Sequence, residues 1–499
     1  MLKRKIEDEI KGWLKKPKTA LMISGARQVG KTWTIEHVLE SSHEYYVEFN
    51  LHDLPEVADC FLKRTTIDDL ISRLTLLTES PLNEGCVIFF DEVQLCPDIV
   101  TQIKFLVKDG RFRYILSGSL LGVELRNLRS APVGYLRTLT MYPLDFEEFL
   151  QIYKVPHTII ESLHRSFDLR QPVDEVIHNR MLSYFNMYMV VGGMPAAVQT
   201  YSESKKMNEV MKVHSAIEEI YKMDFTQYEY SGRKLVLNKI YGLIPDELNS
   251  KNKRYIISDL NKKSDKGTED ESDNETEGEL NNEPDSESGD IAFMESNEEP
   301  DSKSSKNGEV VIRLDRALNS FLWLTQAGVA IPVYNVSQPM APLRINSKST
   351  LFKLFMADVG MLTSAYGRAT KLKILNMEKN IRKGAMFENV VSQELLAHGF
   401  DRQYYYSSKK NGELDFVIEY NDDVLPIEVK SGKDYTVHSA LDNVMNIPDY
   451  GITQSFVFSY DNVSVSEDGR TVYFPLYMIM FITKDIEFNI EDPGPWPAE

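Results

Sequence analysis

The chain of 499 residues is poor in cysteine and has no long apolar run. Its cysteines, Cys60, Cys86 and Cys96, form no close pair, which argues against a disulfide framework or a cysteine-based zinc site. The longest apolar run, at 474–482, is shorter than the roughly 18 residues that suggest a membrane span, and we interpret it as a buried strand. The first residues are charged and lack the apolar core of a signal peptide. We therefore expect a cytoplasmic protein with no membrane partner.

Negative charge dominates the composition, but it is concentrated in one segment. The whole chain carries a net charge of −19, and residues 262–309 contribute −12 of it through 17 acidic side chains and 5 lysines, which leaves −7 for the rest. This segment has almost no apolar side chains, so it cannot bury enough surface to offset the entropy lost on ordering. We predict a disordered acidic insert at 262–309. The charge of the whole chain therefore does not exclude nucleic acid as a partner.

The first part of the chain alternates apolar strands with helical stretches. Four strands are predicted, at 19–24 (TALMIS), 45–50 (YYVEFN), 86–92 (CVIFFDE) and 113–119 (RYILSGS). Continuous apolar strands that are separated by helices indicate a parallel sheet that is covered on both faces. From about residue 145 to residue 260 the pattern is helical.

The part that follows the acidic insert predicts a second mixed region. A helical apolar pattern stops at Gly328, and VAIPVYNV at 329–336 is typical of a strand, so together with 235–260 a small helical unit that ends in a β-hairpin is predicted. Farther along we predict helices near 351–366 and 382–399, a hairpin at 412–432, and strands at 454–459 and 471–483.

A phosphate-binding loop is the strongest functional signal. The stretch GARQVGKT fits the pattern G-x-x-x-x-G-K-[ST] and lies between a predicted strand and a predicted helix, which is the context that this motif needs. The glycines let backbone N–H groups point at phosphate oxygens, and the helix N-terminus favours an anion. Lys31 is expected to reach the β- and γ-phosphates, and Thr32 to bind Mg²⁺. The predicted ATP-binding residues are Gly25, Ala26, Arg27, Gln28, Val29, Gly30, Lys31 and Thr32.

A second acidic motif supports the first. The strand CVIFFDE ends in Asp91 and Glu92, so Asp91 is expected to hold Mg²⁺ through water and Glu92 to activate the attacking water. Ser117 or Ser119, at the end of the next strand, is a candidate contact to the γ-phosphate. Hydrolysis usually needs an arginine as well. The candidates are Arg126, Arg129 and Arg137, and surface or ion-pair roles are the alternative for each.

These motifs carry a resemblance to a family of bacterial and archaeal AAA-type ATPases. GARQVGKT, FFDEVQ, ILSGS and MYPLDFEEF (141–149) resemble its ATPase half. YMVVGGMP (188–195), PVYNVSQPMAPL (332–343), FKLFMADVGML (352–362) and GAMFENVVSQEL (384–395) resemble its C-terminal half, a domain of unknown function. The family is related to signal-transduction ATPases. Many members have Gly-Arg just before the MYPL motif, where this chain has Gly134 and Tyr135, so the resemblance does not identify an arginine finger.

The resemblance implies an α/β fold of three modules. A P-loop NTPase (AAA-like) parallel sheet with a helical lid is followed by a winged-helix module and a restriction-endonuclease-like α/β domain. We place the ATPase domain at 1–160, the lid at 161–230, the winged-helix-like domain at 231–345 and the endonuclease-like domain at 346–499. Six basic residues could contact DNA phosphates if a winged helix is present, and a solvated helical face is the alternative. They are Arg233, Lys234, Lys239, Lys251, Lys253 and Arg254.

The hairpin GELDFVIEYNDDVLPIEVKSG (412–432) raises the question of a second site. If Asn421 and Asp422 form a two-residue turn, Asp415 lies opposite Glu428, and Glu413 lies opposite Lys430. Like charges directly opposite are destabilising, and a divalent cation between them would remove the problem. The alternative is a half-solvated hairpin with a Glu413–Lys430 ion pair. A three-residue turn would instead place Asp415 and Glu428 on opposite faces, and the two charges would then be separated.

The first register matches the D…E-x-K arrangement of restriction-endonuclease-like folds. Asp415 and Glu428 would then bind a second Mg²⁺ or Mn²⁺, Glu388 from the helix GAMFENVV would complete the site, and Lys430 would position or activate water. Under the same register Leu414 and Phe416 would face the core, and Val417 would share the face of Asp415.

The sequence as a whole predicts a Mg²⁺-dependent ATPase that couples its nucleotide state to DNA binding, with nucleic-acid cleavage by the C-terminal domain as a further activity. The alternative is an ATP-driven signalling or assembly switch that binds a protein partner and carries an inactive nuclease-like domain. ATP, DNA and a second copy of the chain are the candidate partners.

Overall fold

The computed structural model describes most of the chain outside the acidic insert. The described residues are 2–62, 66–119, 132–227, 231–250, 314–378, 382–432 and 435–484. Met1–Tyr255 and Leu318–Glu499 together form one compact unit, and Ile256–Ala317 form a second. The predicted insert at 262–309 lies outside the described residues.

A five-stranded parallel sheet forms the first layer of the large unit. Its strands are β1 (Ala20–Ser24), β2 (Tyr46–Asn50), β3 (Val87–Asp91), β4 (Arg113–Gly118) and β5 (Leu136–Thr140). They lie in the order β2-β3-β4-β1-β5, and every neighbouring pair is parallel. The four predicted strands and their parallel arrangement are confirmed. Strand β5 has no sequence signal of this kind, because it is a partly exposed edge strand.

Helices cover this sheet, as continuous apolar strands require. They are α1 (Ile6–Lys15), α2 (Lys31–Ser41), α3 (Glu56–Leu62), α4 (Ile67–Leu76) and α5 (Pro97–Asp109). Strand β3 is buried along its whole length, and Phe90 packs against the rings of Phe49, Phe61 and Tyr114. The apolar core therefore surrounds the strand that ends in Asp91.

The middle of the chain is helical, which confirms that prediction for the described residues. Its helices are α6 (Phe146–Phe149), α7 (His157–Asp168), α8 (Glu175–Val191), α9 (Pro195–Ser204), α10 (Met207–Gln227), α11 (Ser231–Asn249) and α12 (Leu314–Gln326). Among the helices that the structure describes, none is both long enough and apolar enough to cross a membrane.

The C-terminal part is built on a mixed sheet of eight strands in the order β12-β13-β11-β10-β9-β8-β6-β7. The strands are β6 (Ala330–Val336), β7 (Ser347–Met356), β8 (Gln403–Ser408), β9 (Gly412–Tyr420), β10 (Asp423–Val429), β11 (Ser455–Ser459), β12 (Ser464–Val465) and β13 (Thr471–Pro475). Its helices are α13 (Val359–Ala365), α14 (Gly367–Leu375), α15 (Gly384–Ala397) and α16 (Ser439–Met445).

The pairing of strand β6 contradicts the predicted domain boundary between residues 345 and 346. The strand pairs with β7 on one side and with β8 on the other, so this boundary would divide two strands of one sheet. The predicted hairpin is therefore part of the C-terminal sheet. The helix predicted at 351–366 is also wrong for residues 351–356, which belong to β7, because LFKLFM carries too short a pattern to distinguish helix from strand.

The apolar run at 474–482 is likewise only partly a strand. Strand β13 ends at Pro475, and residues 476–481 form a buried 3₁₀ segment. A run that is apolar at every position carries no periodicity, so its sequence does not separate the two conformations. The prediction that the run is buried is confirmed, and the prediction of a strand through residue 483 is wrong.

Three glycines allow close backbone contacts at the end of α8, and we call this region the glycine joint (Gly192, Gly193 and Gly360). Gly192 and Gly360 lie between α8 and the start of α13, and Gly193 lies against the backbone of Leu144. A β-carbon added at Gly193 would lie 2.1 Å from the Leu144 carbonyl oxygen, and one at Gly360 would lie 2.5 Å from the Val191 carbonyl oxygen. Glycine is therefore needed for this close approach.

A carboxylate and an ammonium complete the glycine joint. The Asp358 carboxylate accepts hydrogen bonds from the Gly193 N–H (2.6 Å) and, as the N-cap of α13, from the Met361 N–H (2.9 Å). Lys371, which has 0 % exposure, donates to the carbonyl oxygens of Val190 and Gly360. Burial lowers the pKa of Lys371 to about 7, and the nearby Asp358 offsets this only in part.

Candidate functional site

The loop at 25–32 connects β1 to α2 and has the backbone of an anion cradle. Gly25 has φ +146°, and a β-carbon there would lie 2.2 Å from the Met141 carbonyl oxygen. Gly30 has φ +91° and is the N-cap of α2, with no side chain capping that helix. The first N–H groups of α2 are thus directed at the loop without a competing side chain, which suits phosphate oxygens.

Lys31 lies in the centre of this loop. Its side chain donates to the carbonyl oxygens of Gly25 (3.1 Å) and Ala26 (2.8 Å), and burial lowers its pKa to about 8 although Glu92 and Asp91 raise it. Among the described residues, the hydrogen-bond acceptors of this buried ammonium are carbonyl oxygens of its own loop, and a buried ammonium of this kind gains from an anionic ligand. The position of Lys31 therefore fits a bound phosphate.

Arg4 stabilises the loop through its backbone, a role that the sequence did not predict. Its guanidinium, 6 % exposed, donates to the carbonyl oxygens of Val29 (3.0 Å) and Tyr142 (2.7 Å) and pairs with Glu148 at 3.1 Å. A basic residue near the N-terminus carries no sequence signal for this role, because its partners lie 25 to 144 positions away.

Asp91, at the end of β3, faces the first residue pair of α2. Its Oδ2 accepts from the Thr32 hydroxyl (2.9 Å) and from Asn50 Nδ2 (3.3 Å), and its Oδ1 accepts from the Ser117 hydroxyl. The structure thus brings Thr32 and Asp91 together, as predicted. Ser117 is fully buried and its hydroxyl is directed at Asp91, so it is placed behind the carboxylate. An oxygen-only donor set of carboxylate and hydroxyl suits Mg²⁺.

Glu92 follows in a left-handed conformation, with φ +57°, which turns its side chain away from the strand direction. Its carboxylate accepts from Gln94 Nε2, which also lies 3.3 Å from the Ser119 hydroxyl. Burial raises the pKa of the neighbouring Asp91. The two carboxylates therefore have different environments, and only Glu92 lines the open cavity described below.

The candidates for an arginine that assists hydrolysis differ in their positions. Arg126 and Arg129 lie outside the described residues. Arg137 is in register with Leu21, near the start of β1, and its side chain contacts Glu9, so it lies at the sheet edge away from the loop of its own chain. Arg27, within the loop itself, is closer to the site than Arg137.

A cavity of about 800 Å³ opens beside the loop. Charged and polar residues of its lining include Arg27, Lys31, Thr32 and Glu92, and others, such as Lys154 and Glu203, come from later segments. Its apolar lining residues are Leu2, Trp33, Leu144, Ile152, Pro195, Ala196 and Ile220. A cavity of this size that is lined by both polar and apolar side chains fits a nucleotide.

The C-terminal hairpin has the register that a two-residue turn implies. Asn421 and Asp422 both have positive φ, and Asp423 pairs with Tyr420, followed by regular pairs up to Ile427 with Phe416. Continuing this register places Glu428 opposite Asp415, so the two-residue turn is confirmed.

The predicted faces of β9 are wrong in one respect. Leu414 and Val417 lie in one apolar cluster with Tyr404 and Tyr406, whereas strict alternation would separate them. The pairing of β9 with β8 shifts between Tyr404 and Tyr406, so three steps along β9 match two along β8. This bulge lies between Leu414 and Val417, in the stretch that contains Asp415.

Asp415, Glu428 and Lys430 do come together. The Asp415 carboxylate accepts from the Val429 N–H at 2.9 Å, and Lys430 Nζ lies 3.5 Å from the Glu428 carboxylate. Burial and the facing Asp415 raise the pKa of Glu428 well above its usual value. The raised pKa reflects burial and the repulsion between the two facing carboxylates, and the nearby Lys430 offsets part of this repulsion.

Glu388 is engaged differently from the prediction. Lys353, with 0 % exposure, lies 2.7 Å from the Glu413 carboxylate and 3.9 Å from that of Glu388, with its ammonium also over the Tyr405 ring. The alternative Glu413–Lys430 ion pair is therefore wrong, because Glu413 pairs with Lys353. In the described part of the chain, no group of three or more His, Cys, Asp or Glu side chains is arranged to hold a metal ion.

The predicted basic surface is described only in part. Arg233, Lys234 and Lys239 lie on α11. Lys251, Lys253 and Arg254 lie outside the described residues, so their role in nucleic-acid binding stays a prediction.

Comparison with protein families matches three parts of the chain. Residues 17–150 match the AAA domain model. Residues 383–479 match one domain of unknown function (DUF4143), and residues 182–272 match another (DUF8612). No curated protein sequence matches the chain.

Two solved structures align with most of the chain. The Walker-type ATPase PABY2304 of Pyrococcus abyssi is 12% identical, with 73% of this chain and 96% of that chain covered and a TM-score of 0.39. The Aeropyrum pernix ORC1 protein in complex with DNA is 12% identical, with 76% and 93% covered and a TM-score of 0.29. Both superpositions are too loose to bear on function. The family match and the loop geometry agree, because residues 17–150 match the AAA domain model and contain the phosphate-binding loop between β1 and α2.

Proposed function

We propose that the chain is a Mg²⁺-dependent ATPase that binds ATP at the loop 25–32. The observation that carries this proposal is the contact between the Thr32 hydroxyl and the Asp91 carboxylate at 2.9 Å, beside the buried Lys31. These groups come from the loop and from a strand that is separated from β1 by β4, and their meeting reproduces the oxygen ligands and the ammonium that a magnesium triphosphate requires.

Each residue of the site has a role that follows from its contacts. Lys31 exchanges the carbonyl oxygens of its own loop for the β- and γ-phosphates, and the N–H groups of 28–32 donate to the phosphate oxygens. Thr32 and Asp91 hold Mg²⁺, and Ser117 keeps the Asp91 carboxylate oriented. When bound, Mg²⁺ withdraws charge from the phosphate oxygens and so favours attack by water.

Glu92 is the proposed general base. Its carboxylate lines the cavity that also contains Lys31 and Thr32, and Gln94 fixes its orientation through a hydrogen bond. A carboxylate in this position accepts the proton of the attacking water. Apolar side chains of the cavity lining, including Trp33 and Pro195, provide the surface against which the base of the nucleotide packs.

Two substitutions separate binding from hydrolysis. Lys31→Ala should abolish binding of a fluorescent ATP analogue, whereas Glu92→Gln should keep binding and lower the turnover number by about 10²–10⁴-fold. Gly12→Ala, on the exposed face of α1 with no atom within 4 Å, is the control and should bind and hydrolyse ATP as wild type does. Unchanged binding in Lys31→Ala would contradict the proposal.

The C-terminal part is proposed to respond to the nucleotide by binding DNA, and to cleave nucleic acid at Asp415, Glu428 and Lys430. The convergence of these three side chains supports this role. Metal-dependent degradation of DNA or RNA that is lost in Asp415→Ala and in Lys430→Ala, but kept in Lys31→Ala, would support cleavage.

The engagement of Glu388 by Lys353 favours the second candidate. In that candidate the C-terminal part is an inactive nuclease-like domain, and ATP drives assembly with a protein partner or with a second copy of the chain. A buried ammonium between Glu388 and Glu413 supplies positive charge where the sequence suggested a metal. ATP-dependent oligomerisation without any Mg²⁺- or Mn²⁺-dependent nuclease signal would support this candidate.

A further inference from the structure

Arg27 links the phosphate loop to a helix of the middle region. Its Nε lies 3.2 Å from the Ser119 hydroxyl and 3.0 Å from the Asp224 carboxylate of α10. Ser119 is 0 % exposed and Asp224 is 4 % exposed, so both partners are buried while Arg27 itself lines the cavity. A single guanidinium therefore joins the loop, the end of β4 and the helix α10.

Asp224 belongs electrostatically to the nucleotide site. Burial raises its pKa to about 6, and the groups that act on it further are Arg27, Lys31 and Glu92, which are all residues of the site. A carboxylate in this position attracts Arg27 and would repel the terminal phosphate of a triphosphate. A γ-phosphate would therefore attract Arg27 and repel Asp224.

The helix α10 reaches from the loop to the C-terminal part. Near its end, the Tyr221 hydroxyl donates to the Arg27 carbonyl oxygen at 3.3 Å. About 10 Å away along the same helix, the His214 ring forms a hydrogen bond of 2.7 Å with the Ser364 hydroxyl on α13 and one of 2.9 Å with the Val191 carbonyl oxygen. The helix α10 therefore contacts both the phosphate loop and the residues next to the glycine joint.

We propose that Arg27 and Asp224 form a sensor that distinguishes a nucleoside triphosphate from a diphosphate, which rests on the proposed ATP site. Without a γ-phosphate, Arg27 holds α10 through Asp224. With a γ-phosphate, the guanidinium turns from Asp224 to the phosphate oxygens, for which its planar donors are well suited. Repulsion between Asp224 and the new charge then loosens the end of α10.

Nucleotide affinity tests the sensor directly. Wild type, Asp224→Asn and Arg27→Lys are titrated with fluorescent ADP and with a fluorescent non-hydrolysable ATP analogue at fixed Mg²⁺. Asp224→Asn removes the repulsion and should tighten binding of the ATP analogue about tenfold, with less than a twofold change for ADP. Arg27→Lys keeps the charge but loses the planar donors, and it should weaken the ATP analogue selectively.

A second readout follows α10 itself. Hydrogen exchange at 215–227 should rise in wild type when the ATP analogue is added and should stay low with ADP. In Asp224→Asn it should be high without nucleotide. Glu218→Gln, on the same helix but in an exposed pair with Lys222, is the matched control and should follow wild type in both measurements.

The outcomes separate the sensor from the ATP site. If wild type binds nucleotide and Lys31→Ala does not, the ATP site stands. The sensor is then refuted if Asp224→Asn changes the affinities for ADP and for the ATP analogue equally, or if it leaves hydrogen exchange of α10 unchanged. If wild type shows no Lys31-dependent binding, both proposals are refuted.

Discussion

Lys371 gives a quantitative test of the glycine joint. Its ammonium is 0 % exposed and donates to carbonyl oxygens at the end of α8 and the start of α13. Burial lowers its pKa in the folded protein to about 7, whereas an unfolded lysine has a pKa of about 10.4. The perturbation is Lys371→Met, which removes the titrating group and keeps an apolar chain of similar length.

The sign and size of the effect follow from proton linkage. Between pH 7.5 and 9.5 the folded Lys371 is mostly neutral and the unfolded lysine is protonated, so unfolding takes up a proton. The free energy of unfolding therefore rises with pH by about 1.4 kcal/mol per unit, or about 2.7 kcal/mol over this interval. This contribution is lost as the pH falls toward 7. Lys371→Met lacks this contribution. The free energy of unfolding of wild type minus that of the variant should therefore be about 2.7 kcal/mol larger at pH 9.5 than at pH 7.5.

Urea unfolding followed by circular dichroism measures this difference at both pH values. Titrating groups that do not contact Lys371 are common to the two proteins and cancel in the comparison. Lys373→Met, at an exposed position on the same helix, is the matched control and should keep the pH dependence of wild type. A difference between wild type and Lys371→Met that is equal at pH 7.5 and 9.5 would refute the reasoning.

Three further changes test other parts of the structure. Gly193→Ala forces a β-carbon to within 2.1 Å of a carbonyl oxygen and should lower the free energy of unfolding by about 1–3 kcal/mol in urea, while Gly12→Ala, in open space on a helix, should raise it by about 0.5–1 kcal/mol. Asp422→Gly relieves a positive φ in the two-residue turn and should raise the thermal midpoint; a lower midpoint would argue against that turn. Lys353→Met leaves the buried Glu388 and the partly exposed Glu413 without their cation and should cost about 3–5 kcal/mol, whereas the exposed Lys348→Met should cost almost nothing in the same urea assay.

The parallel sheet and the phosphate loop could be predicted because their signals are local. Each buried strand is a continuous apolar run, and all the phosphate-binding residues of GARQVGKT lie within eight consecutive positions. The meeting of Thr32 with Asp91 follows from the rule that parallel strands end at one edge of the sheet. The hairpin register also follows from local turn chemistry at Asn421 and Asp422.

The remaining features depend on contacts that sequence spacing does not encode. Lys353 is a lysine within a short apolar run, and only the packing of β7 against α15 shows that Glu388 faces an ammonium. Asp224 and Arg27 are 197 positions apart and carry no shared motif. The bulge between Leu414 and Val417 shifts the strand faces by one residue without any glycine or proline to signal it.

The glycine joint also has a consequence for how the chain is made. Gly193 and Asp358 are 165 residues apart, so at a ribosomal rate of roughly 5–20 residues per second the second partner emerges about 8–30 s after the first. During that interval the apolar face of α8, with Met181, Phe185 and Met189, has no partner from the C-terminal part. A nascent chain paused before residue 358 should therefore be a strong client for chaperones, and its release from them should coincide with the synthesis of α13 and α14.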